Sequence, residues 1–71
     1  MKRYFVIQRI DKPCGFARLT EDWEIEWTDD IYKAQRSSEK LIAEEAAMDI
    51  FHLWPWQFMI REIVDDILIP Y

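Results

Sequence analysis

Hydrophobic positions recur along this chain first with a period of two and then with a helical period. In Arg3–Ile10, Tyr4, Val6, Gln8 and Ile10 fall on one side and Phe5, Ile7 and Arg9 on the other. Both sides are largely apolar, which predicts a central strand covered on both faces. Asp11-Lys12-Pro13-Cys14-Gly15 reads as a turn, with Pro13 presetting φ and Gly15, the only glycine, able to take a positive φ. Phe16–Thr20 is then expected to pair back as a hairpin. Glu21 and Asp22 form a second short connection. Beyond it Trp23, Ile25 and Trp27 alternate with Glu24 and Glu26. This predicts a third strand, or a continuation of the second after a bend, with one apolar and one carboxylate face.

The period changes after Thr28. Thr28 is a candidate helix cap, with Asp29 and Asp30 in the favourable first turn and Ile31 and Ala34 on one side. Ser37 and Ser38 form a second candidate cap before Glu39. One reading is a turn over 29–35 and a separate helix from 38; the other is one helix over 29–53. Paired serines favour the break, because their hydroxyls compete for backbone groups inside a helix. In Ser38–Trp54, Ile42, Ala46, Ile50 and Leu53 form one row and Ala43, Ala47, Phe51 and Trp54 the next. Lys40, Glu44, Glu45 and Asp49 lie mainly opposite, and Pro55 is expected to end the helix. Phe58–Val64 predicts a last strand, with Phe58, Ile60 and Val64 on one face. Asp65 and Asp66 then turn the chain into an apolar tail, Ile67–Tyr71, which should pack on the domain or on a second subunit.

The order β-β-(β)-α-β predicts an α+β fold: a small antiparallel sheet of three to four strands with one main helix on one face. One helix leaves the other face to expose aromatic side chains, and an exposed apolar patch usually marks an interface.

The 71 residues suit a single domain, 1–71. A chain of this size buries only about 60% of its unfolded surface, so its core is marginal without help. Cys14 is the only cysteine, which precludes an intrachain disulfide and suggests a reducing compartment. One Cys and one His do not fill a tetrahedral metal site. Packing or self-association remains, and four Trp, four Phe and three Tyr in a 51% hydrophobic chain favour packing.

Fourteen acids against nine bases give a net charge of −5. The bases are scattered, which argues against direct nucleic-acid binding. The acids speed encounter with basic protein surfaces. The N-terminus starts with Lys2 and Arg3, but Gln8 and Arg9 interrupt its short apolar run, so it does not read as a signal peptide. No stretch approaches the roughly 18 apolar residues of a membrane span. The expected setting is the cytoplasm.

Candidate chemistry is sparse. Cys14 lies in a turn with only Lys12 nearby to lower its pKa, and reads as an incidental residue. His52 sits near the predicted helix end without a recognisable partner. Glu24 and Glu26 would stand about 6.6 Å apart on one strand face, but a solvated face suits so small a chain better than a hydrolytic cleft. Asp29, Asp30, Asp65 and Asp66 lack a glycine-containing calcium loop. No catalytic, metal or cofactor-binding residues are expected. Trp54-Pro55-Trp56 is either a packed corner or a binding hot spot, and Trp23 and Trp27 pose the same choice.

Trp27-Thr28-Asp29-Asp30, with Ala34, Arg36, Ser38 and then Ala43, Ala46 and Ala47, resembles a pattern of short bacteriophage and prophage proteins. Those open with a strand pair, carry a W-T-D-D-like turn and continue into an acidic, alanine-rich helix and a closing strand. The match covers about half of the chain. Ser37 replaces the aromatic often found after the Ala-x-Arg step, and the WPW corner and apolar tail lie outside the pattern. The resemblance implies a phage-like origin and the ββαβ order, and it carries over no catalytic residues.

These features together suggest a non-enzymatic protein-binding domain, in the manner of a phage accessory protein that inhibits or modulates a host factor. Glu21, Asp22, Glu24, Glu26, Asp29 and Asp30 would engage a basic groove, of the kind that holds DNA or RNA, with Trp23, Trp27, Trp54 or Trp56 as anchors. The alternative is a structural homo-oligomer, such as a homodimer, seamed by the uncovered sheet face or the tail.

Overall fold

The computed structural model describes residues 2–12 and 14–70. The chain forms β1 (Arg3–Arg9), β2 (Gly15–Leu19), β3 (Ile25–Thr28), α1 (Lys40–Asp49), a 3₁₀ turn (Pro55–Gln57), β4 (Phe58–Val64) and β5 (Ile67–Leu68). The sheet is antiparallel throughout, in the order β3-β2-β1-β4-β5. The fold is therefore the expected α+β arrangement with β1 at its centre. The sheet has five strands rather than three to four, because the tail turns back at Asp65-Asp66 and Ile67–Leu68 pairs with Val64 and Ile63. The part of the tail at Tyr71, like Pro13 in the first turn, lies outside the described residues.

The sheet is split. β1 and β2 pair only at Gln8–Phe16 and Arg9–Gly15, whereas β1 pairs with β4 along all seven residues. Where β1 and β2 part, the segment after β3 enters the gap. Ser37 exchanges two backbone hydrogen bonds with Phe5 (2.8 and 2.9 Å), and the Gln35 N–H donates to the Ala17 carbonyl (2.8 Å). The chain thereby crosses from one face of the sheet to the other.

Each face has its own core. On one side Ile31 and Ala34 pack with Val6, Phe16, Ile63 and Leu68. On the other, Ala43 and Ala47 of α1 pack with Ile7, Ala17, Phe51 and Leu53. Val6 and Ile7 are 0% and 1% exposed, as the alternation in β1 predicts for a strand covered on both faces. The second face was expected to expose aromatic side chains. Instead the Ile31–Ser37 segment and β5 cover it, and Phe16 is buried.

Three other boundaries differ from expectation. The third strand starts at Ile25, since Trp23 adopts a left-handed φ of 62° in the preceding turn. The helix starts at Lys40, because Ser37 is held in extended conformation by Phe5; its N-cap is Glu39, with no side-chain cap bond. It ends at Asp49 rather than Trp54. The Ile50 and Phe51 N–H groups both donate to the Ala46 carbonyl, Leu53 N–H donates to Ala47, and His52 takes a φ of 55°. A continued helix would set Phe51 and Leu53 about 200° apart around its axis. The reversal buries both. Ile42, Ile50 and Trp54, expected on core rows, are exposed. Pro55 then opens the 3₁₀ turn rather than ending a helix. The preferred break between Thr28 and the helix is present, with a turn over 31–33.

Ile63 is fully buried on the face away from α1. Ile63→Ala is expected to cost about 3 kcal/mol, comparable with Ile7→Ala on the helix face, as read by urea denaturation. A cost under about 1 kcal/mol would mean that the second core contributes little.

Candidate protein-binding surface

The acidic segment divides into two parts with different surroundings. At the tip of the β2–β3 hairpin the loop closes on Thr20. Its carbonyl accepts the Trp23 N–H (3.0 Å), its N–H donates to the Glu24 carbonyl (2.9 Å), and its Oγ1 accepts the Glu24 N–H (3.0 Å). Glu21, Asp22 and Glu24 are exposed around Trp23, which is itself 78% exposed.

Beyond the tip the residues are occupied locally. Glu26 lies across from Arg18 on β2 and pairs with its guanidinium, so its charge is offset. Trp27 faces the helix side and is half-buried. Its ring centroid lies 6.0 Å from that of Phe51, tilted by 52°, and the Arg9 guanidinium sits 5.1 Å from the ring centre. Trp27 is therefore a core residue. Asp30 shapes the next turn: its N–H donates to Thr28 Oγ1 (3.1 Å) and its carboxylate accepts the Tyr32 N–H (2.9 Å). Asp29 is exposed.

The WPW corner is the second exposed aromatic site. Trp54 and Trp56 stack with centroids 5.4 Å apart and planes within 2°. They are 62% and 70% exposed. Gln57 holds the corner. Its side-chain oxygen accepts the Trp54 N–H (2.9 Å), its backbone N–H donates to the Trp54 carbonyl (2.9 Å), and its carbonyl accepts the Ile10 N–H (2.9 Å). Its side-chain nitrogen donates to Asp11 (2.8 Å), and the other Asp11 oxygen accepts from Arg9. The Arg9 hydrogen bond, reinforced by that of Gln57, holds the Asp11 carboxyl below the usual carboxylate range. One network thus runs from Trp27 through Arg9, Asp11 and Gln57 to the stacked tryptophans.

Two grooves flank this corner. One, of about 450 Å³, lies between α1 and β4 and is lined by Lys40, Glu44, Met48, Pro55, Phe58, Met59 and Ile60. The other, of about 470 Å³, is lined by Met48, His52, Leu53, Trp54 and Pro55. Met48 and Pro55 border both.

The sheet register separates the two exposed aromatic sites. Trp23 lies beyond the Leu19–Ile25 pair at one end of the sheet. The WPW corner adjoins the Arg9–Phe58 and Arg9–Gly15 pairs at the other end. The ten candidate residues therefore form no single footprint. Glu21, Asp22, Trp23 and Glu24 make one patch and Trp54 with Trp56 another, while Glu26, Trp27 and Asp30 are engaged within the domain. Met48, Pro55, Phe58 and Met59 were not among the expected site residues, because a helix running to Trp54 hides the groove. The only sequence signal for it is Gln57, three residues after Trp54 and so able to cap the turn that presents both indoles.

Cys14 and His52 are both exposed. Among the described residues no three His, Cys, Asp or Glu side chains gather in a metal-binding cluster, and no helix is long and apolar enough to cross a membrane. Comparison with protein-family models, curated proteins and solved structures gives no match to this chain.

Because the Asp11 pKa is depressed in the folded state, its stabilising contribution is full above the unfolded value and is lost as pH falls through the folded value. Acidification below about pH 4 should release Gln57 and shift the Trp54 and Trp56 indole N–H resonances. In Asp11→Asn that acid-dependent shift should be absent; an unchanged shift would mean that Asp11 does not secure the corner.

Proposed function

We propose that this chain is a small, non-enzymatic protein-binding domain. The observation that carries this reading is the stacked Trp54–Trp56 pair, exposed on a turn whose backbone the Gln57 network holds. Tryptophan is enriched at the energetic centres of interfaces. A side chain already held in its bound geometry loses little conformational freedom on association. The net charge of −5 and the acidic hairpin tip favour a basic target and raise the rate of encounter. A basic groove that otherwise holds nucleic acid suits these features. An accessory protein that occupies such a groove on a host factor would act in this way.

A second reading, the structural homo-oligomer, draws support from the exposed Leu41, Ile42, Ile50 and Ile67. Light scattering across concentration separates the two. The binding-domain reading expects a monomer at about 100 μM. With a captured partner, the Trp54→Ala/Trp56→Ala double variant should weaken affinity at least about 30-fold, mostly through faster dissociation. Glu21→Gln/Asp22→Asn/Glu24→Gln should instead slow association and flatten its salt dependence. A stable dimer that buries the tryptophans, or full affinity in the double variant, would contradict the proposal.

A further inference from the structure

β3 lies at one edge of the sheet, and among the described residues no strand pairs with its outer side. Its register on β2 runs Phe16–Thr28, Ala17–Trp27, Arg18–Glu26 and Leu19–Ile25. One step further, the Thr20 N–H donates to the Glu24 carbonyl (2.9 Å). Backbone polar groups alternate sides along an antiparallel strand. Glu24, Glu26 and Thr28 therefore turn theirs toward β2, and Ile25 and Trp27 turn theirs outward. Ala17, opposite Trp27, agrees from the other side: its carbonyl turns away from β3 to accept from Gln35. The described ends of the chain lie across the sheet, where Lys2 bonds with Asp65 and Ile69 with Glu62. The first turn joins β1 to β2, inside this edge.

The edge has two unlike faces. Trp27 packs against Phe51 on the helix side. Ile25, two residues earlier, is exposed on that side next to Leu19, which lines a groove of about 320 Å³ with the exposed Ile42 and Ile50. On the opposite side stand Glu26 and, one alternation earlier, Glu24. The run Glu21–Asp30 holds six acids and no base. Arg18 and Lys33, the nearest bases before and after it, leave an excess of four acids. Arg9, over the Trp27 ring, is already paired with Asp11.

We propose that the outer edge of β3 takes an extended segment of another protein, apolar on one face and basic on the other, as an added strand. The proposal rests on the protein-binding reading and names the partner's chemistry and its mode of docking. Hydrogen bonds to the Ile25 and Trp27 backbone would hold the segment. Its apolar side chains would continue the Ile25 side, and its basic side chains would stand beside Glu24 and Glu26. Like charge disfavours a second copy as the occupant. Antiparallel pairing of Ile25 on one copy with Trp27 on another sets the two Glu26 side chains directly opposite each other. Pairing Ile25 with Ile25 sets Glu24 against Glu26. Like charges so placed are destabilising. A short, charged edge protects a sheet from its own kind in this way, and the same carboxylates attract a basic strand. β3 spans four residues, so the added strand is short.

The test uses the whole chain, labelled with ¹⁵N, and synthetic heptapeptide probes. These are acetyl-KVRIKVR-amide, that peptide N-methylated at its valine and isoleucine amides, the same peptide N-methylated instead at its lysine and arginine amides, and acetyl-EVEIEVE-amide. In the free chain at low concentration the Ile25 and Trp27 amides should exchange rapidly. The first probe should bind and slow both at least tenfold. Methylation of the valine and isoleucine amides, which face the edge, should weaken binding at least tenfold, whereas methylation of the others should leave it nearly unchanged. The acidic probe should bind at least tenfold more weakly than the first. Glu24→Lys, a change at an exposed side chain, should narrow that gap with the melting temperature unchanged. Equal binding of the two methylated probes, or no binding of the first probe at about 1 mM, would overturn the proposal. So would Ile25 and Trp27 protection in the free chain, and if that protection rose with protein concentration alone the edge would belong to a second copy. Binding that shifts the Trp54 and Trp56 indole signals without protecting Ile25 and Trp27 would overturn the edge while leaving the tryptophan anchor standing.

Discussion

The fold depends on how the split between β1 and β2 is closed. Backbone N–H and C=O groups at the centre of a sheet must find partners, because burying them unpaired costs as much as losing a hydrogen bond. On the N-terminal side of Gln8 the two strands diverge, which leaves backbone groups of Phe5 on β1 and Ala17 on β2 without a partner in the β1–β2 ladder. Ser37 and Gln35 fill it from a segment that belongs to neither strand. One crossing then does three things. It completes the sheet, lays Ile31 and Ala34 over one face, and delivers α1 to the other.

The helix is fitted to this position by its small residues. Ala43 and Ala47 are its buried positions, so α1 sits close to Ile7 and Ala17 and contributes little volume to the core. Bulk comes from Phe51 and Leu53 after the chain reverses at His52. The larger helical side chains, Leu41, Ile42 and Met48, are left outside. Of these, Met48 lines the grooves that border Trp54 and Pro55.

Strand periodicity made most of the sheet legible in the sequence. β4 has the expected bounds, Phe58–Val64, and the apolar character of both faces of β1 identified the central strand. The Asp65-Asp66 turn was readable because aspartate tolerates the left-handed φ values of 50° and 65° seen there. The failures share a cause: long-range partners overrode local signals. Ser37 resembled a cap, but Phe5, distant in sequence, claimed its backbone. Phe51, Leu53 and Trp54 fit a helical repeat, yet tertiary burial of the first two broke it. Trp23 fit a strand alternation, but its hydrogen bond to the Thr20 carbonyl made it part of a turn. The candidate site was legible as residue types and not as a surface. The acidic tip and the tryptophan pair were both in the sequence, whereas their separation to opposite ends of the sheet follows from a register that no local pattern encodes.

Ser37 closes the sheet as an integral rung. Native-state hydrogen exchange of the Phe5 and Ser37 amides tests this most directly, since each donates to the other residue's carbonyl. Both should exchange only on global unfolding, with protection equal to that of amides in the β1–β4 ladder. Exchange of Ser37 at the rate of the exposed hairpin tip, while β1 and β4 remain protected, would contradict it.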